Sequence, residues 1–234
     1  MLLKNVISLI KSTSYNNTCR YISRSCILQA ETHFGYQTVD ENEKAQKVHK
    51  VFEQVANSYD LMNDAMSLGI HRIWKDKFVE KLGPMHGSSL IDVAGGTGDI
   101  SFRILKYLLN SDNVMNKSSN ITVCDINQHM LDVGKDRYEQ LNVNDDSVKL
   151  NWICGDAEAL PFEDNMFSAY TIAFGIRNVT HIDKVLSEAF RVLKTGGRFL
   201  CLEFSHLDNE ILQKLYDKYS FEVIPPMGQI LAGQ

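Results

Sequence analysis

The sequence predicts an α/β fold: an open parallel sheet flanked by helices and preceded by a helical segment. Three observations carry this. From about residue 88 onward, short apolar runs alternate with helical stretches, and strands that alternate with helices pair in parallel. The first apolar run ends in Ala94-Gly95-Gly96-Thr97-Gly98, a turn in which glycine lets the backbone reverse and a ligand approach closely. The chain has 234 residues, 44% hydrophobic and 23% charged, enough apolar content to bury a core without disulfides or metal.

Composition also excludes functions. No run of 18 apolar residues could cross a bilayer as a helix. A net charge of −5 offers no general attraction to nucleic acid. The five cysteines, Cys19, Cys26, Cys124, Cys154 and Cys201, form no C-x-x-C pair, and the histidines form no H-E-x-x-H. This pattern indicates reduced thiols and no structural metal.

Residues 1–30 hold Lys4, Lys11, Arg20 and Arg24, five serines and no acid. Without those bases the chain has 20 bases against 29 acids, a balance of −9. An acid-free, serine-rich basic head is the composition of a mitochondrial transit peptide. Residues 31–47 read as a polar lead-in. Val48, Val51, Phe52, Val55, Ala56 and Tyr59 then fall at helical spacing, as do Ile70, Trp74, Phe78 and Leu82, stopped by Gly83-Pro84. Residues 31–87 are therefore expected to form a helical segment able to act as a lid on a core over 88–234.

In the core, Ser89–Val93 reads as the first strand, followed by a helix to about Asn110 and a polar loop over 110–120. Ile121–Cys124 is the second strand, with a polar helix to about Leu141. Leu150–Cys154 is the third and Phe167–Phe174 the fourth. Thr180–Leu193 is a helix opened by Thr180-x-x-Asp183, a capping-box-like start. Thr195-Gly196-Gly197 turns into a fifth strand, Phe199–Phe204, and Asp208–Phe221 is the last helix.

Ligands of such sheets bind beyond the carboxyl ends of the strands, so the residues that follow each strand are the candidates. Gly95, Gly96, Thr97 and Gly98 form the first turn. Asp125 closes the second strand, where a carboxylate can accept both ribose hydroxyls. Asp156-Ala157 closes the third, where a side chain and an amide can hold an adenine edge. A dinucleotide site would show G-x-G-x-x-G and seat pyrophosphate on the helix N-terminus. Here the spacing is G-G-x-G followed by Asp99, and a carboxylate would repel pyrophosphate. S-adenosylmethionine carries a sulfonium and an ammonium, and three acids around the turn suit it better.

Several stretches carry a family resemblance. Tyr59-Asp60-Leu61-Met62-Asn63 with Met66-Ser67, His71 and Trp74 resembles the first signature of the ubiquinone/menaquinone C-methyltransferases. Arg191-Val192-Leu193-Lys194-Thr195-Gly196-Gly197 with Leu202-Glu203-Phe204-Ser205 resembles the second. Gly155-Asp156-Ala157-Glu158-Ala159-Leu160-Pro161-Phe162 and Phe174-Gly175-Ile176-Arg177-Asn178-Val179-Thr180 match as well. The resemblance runs from about residue 44 to 234. It implies a Rossmann-like class I methyltransferase sheet that uses S-adenosyl-L-methionine to methylate a ring carbon of a polyprenyl benzoquinol. The donor would contact Thr97, Asp125 and Asp156-Ala157, with Ala173 standing where relatives often carry a serine. Thr195 replaces the usual proline. The family pattern continues past Gln234 with another helix and two strands, so a sheet lacking the last strands of a seven-stranded arrangement is expected.

Such an enzyme needs a group beside the developing phenolate. Arg177, directly after the fourth strand, is the first candidate, with His71 and Tyr59 behind it. Trp74 is expected in the core; Phe162 and Phe174 could line an apolar pocket or pack. Glu203 stands at the ligand edge after the fifth strand. The resemblance implies a polyprenyl benzoquinol substrate, other ubiquinone-synthesis enzymes as partners in a complex, a homodimer, and peripheral contact with the matrix side of the mitochondrial inner membrane. A demethylmenaquinol methyltransferase and a non-catalytic donor-binding subunit are the competing readings.

Overall fold

The computed structural model describes residues 31–34, 37–40, 63–64, 67–111, 118–143, 147–204, 209–223 and 226. The basic head and the helix expected over 48–59, with Tyr59, lie outside the described residues.

The element order is β1 (Glu31–Phe34), β2 (Gln37–Asp40), α1 (Ile70–Leu82), β3 (Ser89–Val93), α2 (Asp99–Leu109), β4 (Ser119–Asp125), α3 (Gln128–Gln140), β5 (Val148–Cys154), β6 (Phe167–Ala173), α4 (Ile182–Val192), β7 (Leu193–Leu202) and α5 (Glu210–Lys218). Five strands form one sheet in the order β5-β4-β3-β6-β7, with every adjacent pair parallel. The chain starts in the middle at β3, builds outward through β4 and β5, then returns to the other side with β6 and β7. That reversal puts a topological switch point between β3 and β6, where open α/β sheets bind ligands.

Residue chemistry explains the layers. Strands covered on both faces must be apolar on both. Leu90 on β3 and Ile121 on β4 join Phe78, Val79 and Leu82 of α1 and Ile100, Ile104 and Leu108 of α2 in one core cluster. Ile91 and Val93, pointing to the opposite face, join Cys124, Tyr170, Ile172 and the α4 residues Val185, Ala189 and Val192 in the other.

Several expectations need correction. Within the polar lead-in expected over 31–47, β1 and β2 form an antiparallel pair with Glu31 opposite Asp40 and Phe34 opposite Gln37. The helix expected to open at Thr180 begins at Ile182, with no side-chain cap from its own sequence. Its end is capped from a distance: Glu158 Oε1 accepts the amides of Thr180 and His181, each at 2.8 Å. A charged acceptor that takes two amides displaces a hydroxyl cap. The Thr195-Gly196-Gly197 turn lies within β7 as an irregularity: Leu193 pairs with Phe167, Arg198 pairs with Ala169, and 194–197 loop out with Gly196 at φ 78°.

Helix α1 buries Phe78 and Leu82 as expected, but its first turns present other residues inward. Its buried residues are His71, Lys75, Phe78, Val79 and Leu82, whereas Ile70 and Trp74 are exposed. Trp74, expected in the core, instead contacts Phe174 and Phe204, at ring separations of 6.5 and 6.0 Å. The polar residues His71 and Lys75 take the inward positions at the end of α1 nearest the switch point. Cys124 is buried, but Cys154 and Cys201 are exposed, and all three are free thiols.

Candidate cofactor site

A cavity of about 440 Å³ opens at the carboxyl edge of the sheet, lined by the segments after β3, β4, β5 and β6. The volume lies in the usual range for small-molecule sites. Of the residues expected to bind cofactor, Gly95, Gly96, Thr97, Asp125, Asp156, Ala157 and Ala173 line it. Gly98 does not; it is the left-handed N-cap of α2 at φ 81°.

Asp125 organises the turn. Its Oδ2 accepts the Gly96 amide at 2.8 Å and its Oδ1 accepts the Asn127 amide at 2.8 Å. Gly96 sits at φ 54°, a conformation costly to a side-chain-bearing residue. The carboxylate that closes β4 thus holds the turn that closes β3. Asp156 Oδ1 accepts the Glu158 amide at 2.8 Å, which fixes the loop after β5. Ala94 and Phe174, the residues just beyond β3 and β6, both line the cavity with positive φ, 51° and 56°. Strain of this kind, on the order of 1–3 kcal/mol per residue, collects at ligand sites.

The electrostatics differ from the sequence reading. Asp99, treated there as a bare charge, is compensated: Lys75 Nζ donates to Oδ2 at 2.6 Å and Arg103 Nε to Oδ1 at 3.1 Å. Burial opposes ionisation of Asp99, but the two cations together hold its pKa below the ordinary carboxylate value. Asp92 is buried under the turn, accepting from the hydroxyls of Ser101 at 2.8 Å and Thr171 at 2.9 Å. Burial pushes its pKa up to about 6 despite those bonds. Glu158 pairs with His181 Nδ1 at 2.6 Å. Burial works to raise the Glu158 pKa, yet the hydrogen bonds from His181 and Thr180 leave it lowered. Lys75, Asp92, Glu158 and His181 all line the cavity and escaped the sequence reading. Asp92 stood inside the predicted first strand and Glu158 inside the stretch after the third; for Lys75 the only signal was a charge on a helix face that had been phased by Trp74.

The candidates for chemistry fall unevenly. His71 is buried but does not line the cavity. Its Nδ1 is 2.6 Å from Ser67 Oγ and its Nε2 is 3.7 Å from Asp64. Burial, with Lys75 next to it, lowers its pKa. Arg177 follows the cavity-lining Phe174-Gly175 pair, its side chain half exposed, with Nη1 3.6 Å from Glu203 Oε1 and its guanidinium 4.8 Å from the Phe204 ring centroid. Phe174, Phe204 and Trp74 form an aromatic wall next to it. Phe162, the other pocket candidate, packs edge-on against Phe167 at 5.2 Å in the core.

The profile of the ubiE/COQ5 methyltransferase family matches residues 40–234. The chain belongs to that family. A curated relative from Drosophila melanogaster, named 2-methoxy-6-polyprenyl-1,4-benzoquinol methylase, mitochondrial, is 68% identical over 206 residues, covering 87% of this chain and 68% of the relative. The relative of the same name from Homo sapiens is 51% identical, covering 87% of this chain and 69% of its own length. Among solved structures, a Methanococcus maripaludis protein described as an S-adenosyl-L-methionine-dependent methyltransferase is similar in fold, with a TM-score of 0.54 at 20% identity, over 76% of this chain and 73% of that one.

The ubiE/COQ5 member described here is an S-adenosyl-L-methionine-dependent methyltransferase, and the cavity fits that cofactor. Asp125 offers a carboxylate for a ribose diol, and Ile126, Met130 and Ala157 give apolar surface for a base. No phosphate-sized cluster of cations is present among the described lining residues.

Proposed function

We propose that this chain transfers a methyl group from S-adenosyl-L-methionine to a ring carbon of a 2-methoxy-6-polyprenyl-1,4-benzoquinol, a step of ubiquinone synthesis. The single observation that carries the reading is Arg177, poised over Phe204 and next to Glu203; it does not itself line the cofactor cavity but lies in the segment between the lining residues Gly175 and Asn178. The printed names of the fly and human relatives support the substrate.

The cofactor supplies an electrophilic methyl group on a sulfonium. Asp125, Asp156 and Ala157 orient the nucleoside. The wall of Phe174, Phe204 and Trp74 suits a flat quinol ring. Once a hydroxyl proton passes to water, the quinol's ring carbon becomes nucleophilic; it would take the methyl group as the carbon–sulfur bond breaks, releasing S-adenosylhomocysteine, and would then lose its own ring proton to water. Arg177 is a poor base, because its guanidinium stays charged, but a good partner for the phenolate as it forms. Glu203 and the Phe204 ring hold that guanidinium in place. Its interaction grows as the proton leaves, so it acts mainly in the transition state. Alignment and exclusion of water supply the rest.

The relatives' names and the acid-free head support residence in mitochondria. Among the described residues no helix is long and apolar enough to cross a membrane. Peripheral contact with the inner membrane from the matrix side would give access to a lipid-soluble tail, and neighbouring ubiquinone-synthesis enzymes or a second copy are the expected partners. The test is import of a reporter fused to residues 1–35 and carbonate extraction of the full chain. Cytosolic reporter, or protein retained in the carbonate pellet, contradicts this placement.

A further inference from the structure

Arg177 reaches its place on a short segment that is fastened from outside. The segment runs from Gly175 to His181, holds a single helical turn at Ile176–Asn178, and leads into α4. At its start the Phe174 amide donates to the Leu202 carbonyl at 2.7 Å. At its end the Thr180 and His181 amides donate to Glu158 Oε1, and His181 Nδ1 lies 2.6 Å from Glu158 Oε2. Lys184 Nζ is 3.9 Å from that same oxygen. The Glu158 side chain is 16% exposed, so solvent and salt screen these contacts little. Glu158 itself belongs to the loop after β5, and its own amide donates to Asp156 Oδ1 at 2.8 Å. Thr180 offered α4 a nearer cap, yet the helix takes no side-chain cap from its own sequence. A cap from the neighbouring loop does what a local hydroxyl cannot. It fixes Arg177, three residues before Thr180, relative to Asp156 and Ala157.

We propose that Glu158 is a positioning residue for methyl transfer: it ties the loop after β5 to the segment that carries Arg177, and so holds the phenolate's partner in register with the methyl donor. Glu203 and Phe204 steady the guanidinium from the β7 side; Glu158 fixes the backbone that delivers it. Glu158 touches neither the quinol nor the reacting methyl group and acts through Arg177. Its contribution is alignment, and a misplacement of about 1 Å at reacting groups costs up to about 100-fold in rate. This assignment rests on the reading of Arg177 as the phenolate's partner.

The test is a double-mutant cycle of Glu158→Gln with Arg177→Ala, read as single-turnover rates at saturating S-adenosyl-L-methionine and quinol. Melting temperature and S-adenosyl-L-methionine affinity are measured on every variant. Glu158→Gln keeps an oxygen for the two amides but loses the charge that binds them and His181. It is expected to slow the wild-type background roughly 10-fold and Arg177→Ala by less than about twofold, because nothing remains there to position. Donor affinity is expected to change by less than about threefold, since the Asp156 bond goes to the Glu158 backbone. His181→Phe removes one contact and leaves both amide bonds. It is expected to show the same pattern with a smaller loss, and it carries the test alone if Glu158→Gln does not fold. Equal slowing in both backgrounds overturns the proposal, because Glu158 then acts independently of Arg177. So does a lowered melting temperature with a normal rate, or a loss of donor affinity that matches the loss of rate. A normal rate in Arg177→Ala alone overturns the reading of Arg177 itself, and this assignment with it.

Discussion

The Asp125 carboxylate accepts the Gly96 amide at 2.8 Å, joining the turn after β3 to the end of β4 in the wall of the cofactor cavity. One side chain thereby fixes the glycine turn, and in the proposed function the same acid takes the ribose. Asp125→Ala is expected to weaken S-adenosyl-L-methionine binding by about 1–3 kcal/mol through lost charge-assisted bonds. Calorimetry on the folded variant checks this; unchanged affinity removes Asp125 from the site.

Asp92 gives the fold an unusual pH response. Its pKa is pushed from 3.8 to about 6 by burial. Between those values the native state holds a proton that the unfolded state has released. Stability therefore falls as pH rises through this window and stays lower above it. The full difference is roughly 3 kcal/mol at 1.36 kcal/mol per pKa unit. Asp92→Asn is expected to remove this component, so that stability rises more, or falls less, between pH 4 and 6 than in the wild type, where Asp92 opposes the contribution of the lowered Asp99 and Glu158. Denaturant midpoints measured across that range decide it; identical slopes remove Asp92 as the cause.

Gly134 on α3 faces a crowded neighbour. On helix propensity alone, Gly134→Ala gains up to about 1 kcal/mol. An added Cβ, however, falls 2.5 Å from Trp152 Cζ3 and 2.8 Å from the Thr97 carbonyl oxygen. The indole can shift, but the carbonyl belongs to the cofactor turn. Overpacking costs typically 1–3 kcal/mol, so the steric effect wins. The variant is expected to melt lower and to bind the methyl donor more weakly. A variant that melts higher with normal binding contradicts this.

The same residues show what the sequence could and could not reveal. β3, β4 and the turn between β3 and α2 were legible because apolar runs and glycines carry the signal locally. The place of Arg177 just after the fourth strand was legible too, although the cavity is lined by Phe174, Gly175 and Asn178 around it and not by Arg177. The inward side of the first turns of α1 was not: Ile70 and Trp74 continue the spacing of the buried Phe78 and Leu82, and only Asp99, 24 residues downstream of Lys75, shows why the lysine faces inward. The cap of α4 was hidden for the same reason, since Glu158 lies 22 residues before the amide it takes. Local patterns expose local bonds; the countercharges and the distant cap depend on chain segments that meet only in the folded sheet.

Arg177 separates a chemical role from a packing role. Arg177→Ala is expected to lower turnover by roughly 10²–10³-fold, the scale of a lost oxyanion donor, with methyl-donor affinity little changed. Arg177→Lys should recover part of the rate, because charge survives without the planar fork. Glu203→Gln should lower turnover less than Arg177→Ala, by loosening the guanidinium. A lowered melting temperature with normal single-turnover rate in Arg177→Ala assigns the residue to packing instead.

The most direct measurement is methyl transfer itself. Protein is incubated with methyl-labelled S-adenosyl-L-methionine and a short-chain 2-methoxy-6-polyprenyl-1,4-benzoquinol kept reduced, and the product is analysed for the position of the label. The account predicts label on a ring carbon, formed in proportion to S-adenosylhomocysteine and nearly abolished in Arg177→Ala. Label on a hydroxyl oxygen, or no transfer by protein that binds the methyl donor and the quinol, would contradict it.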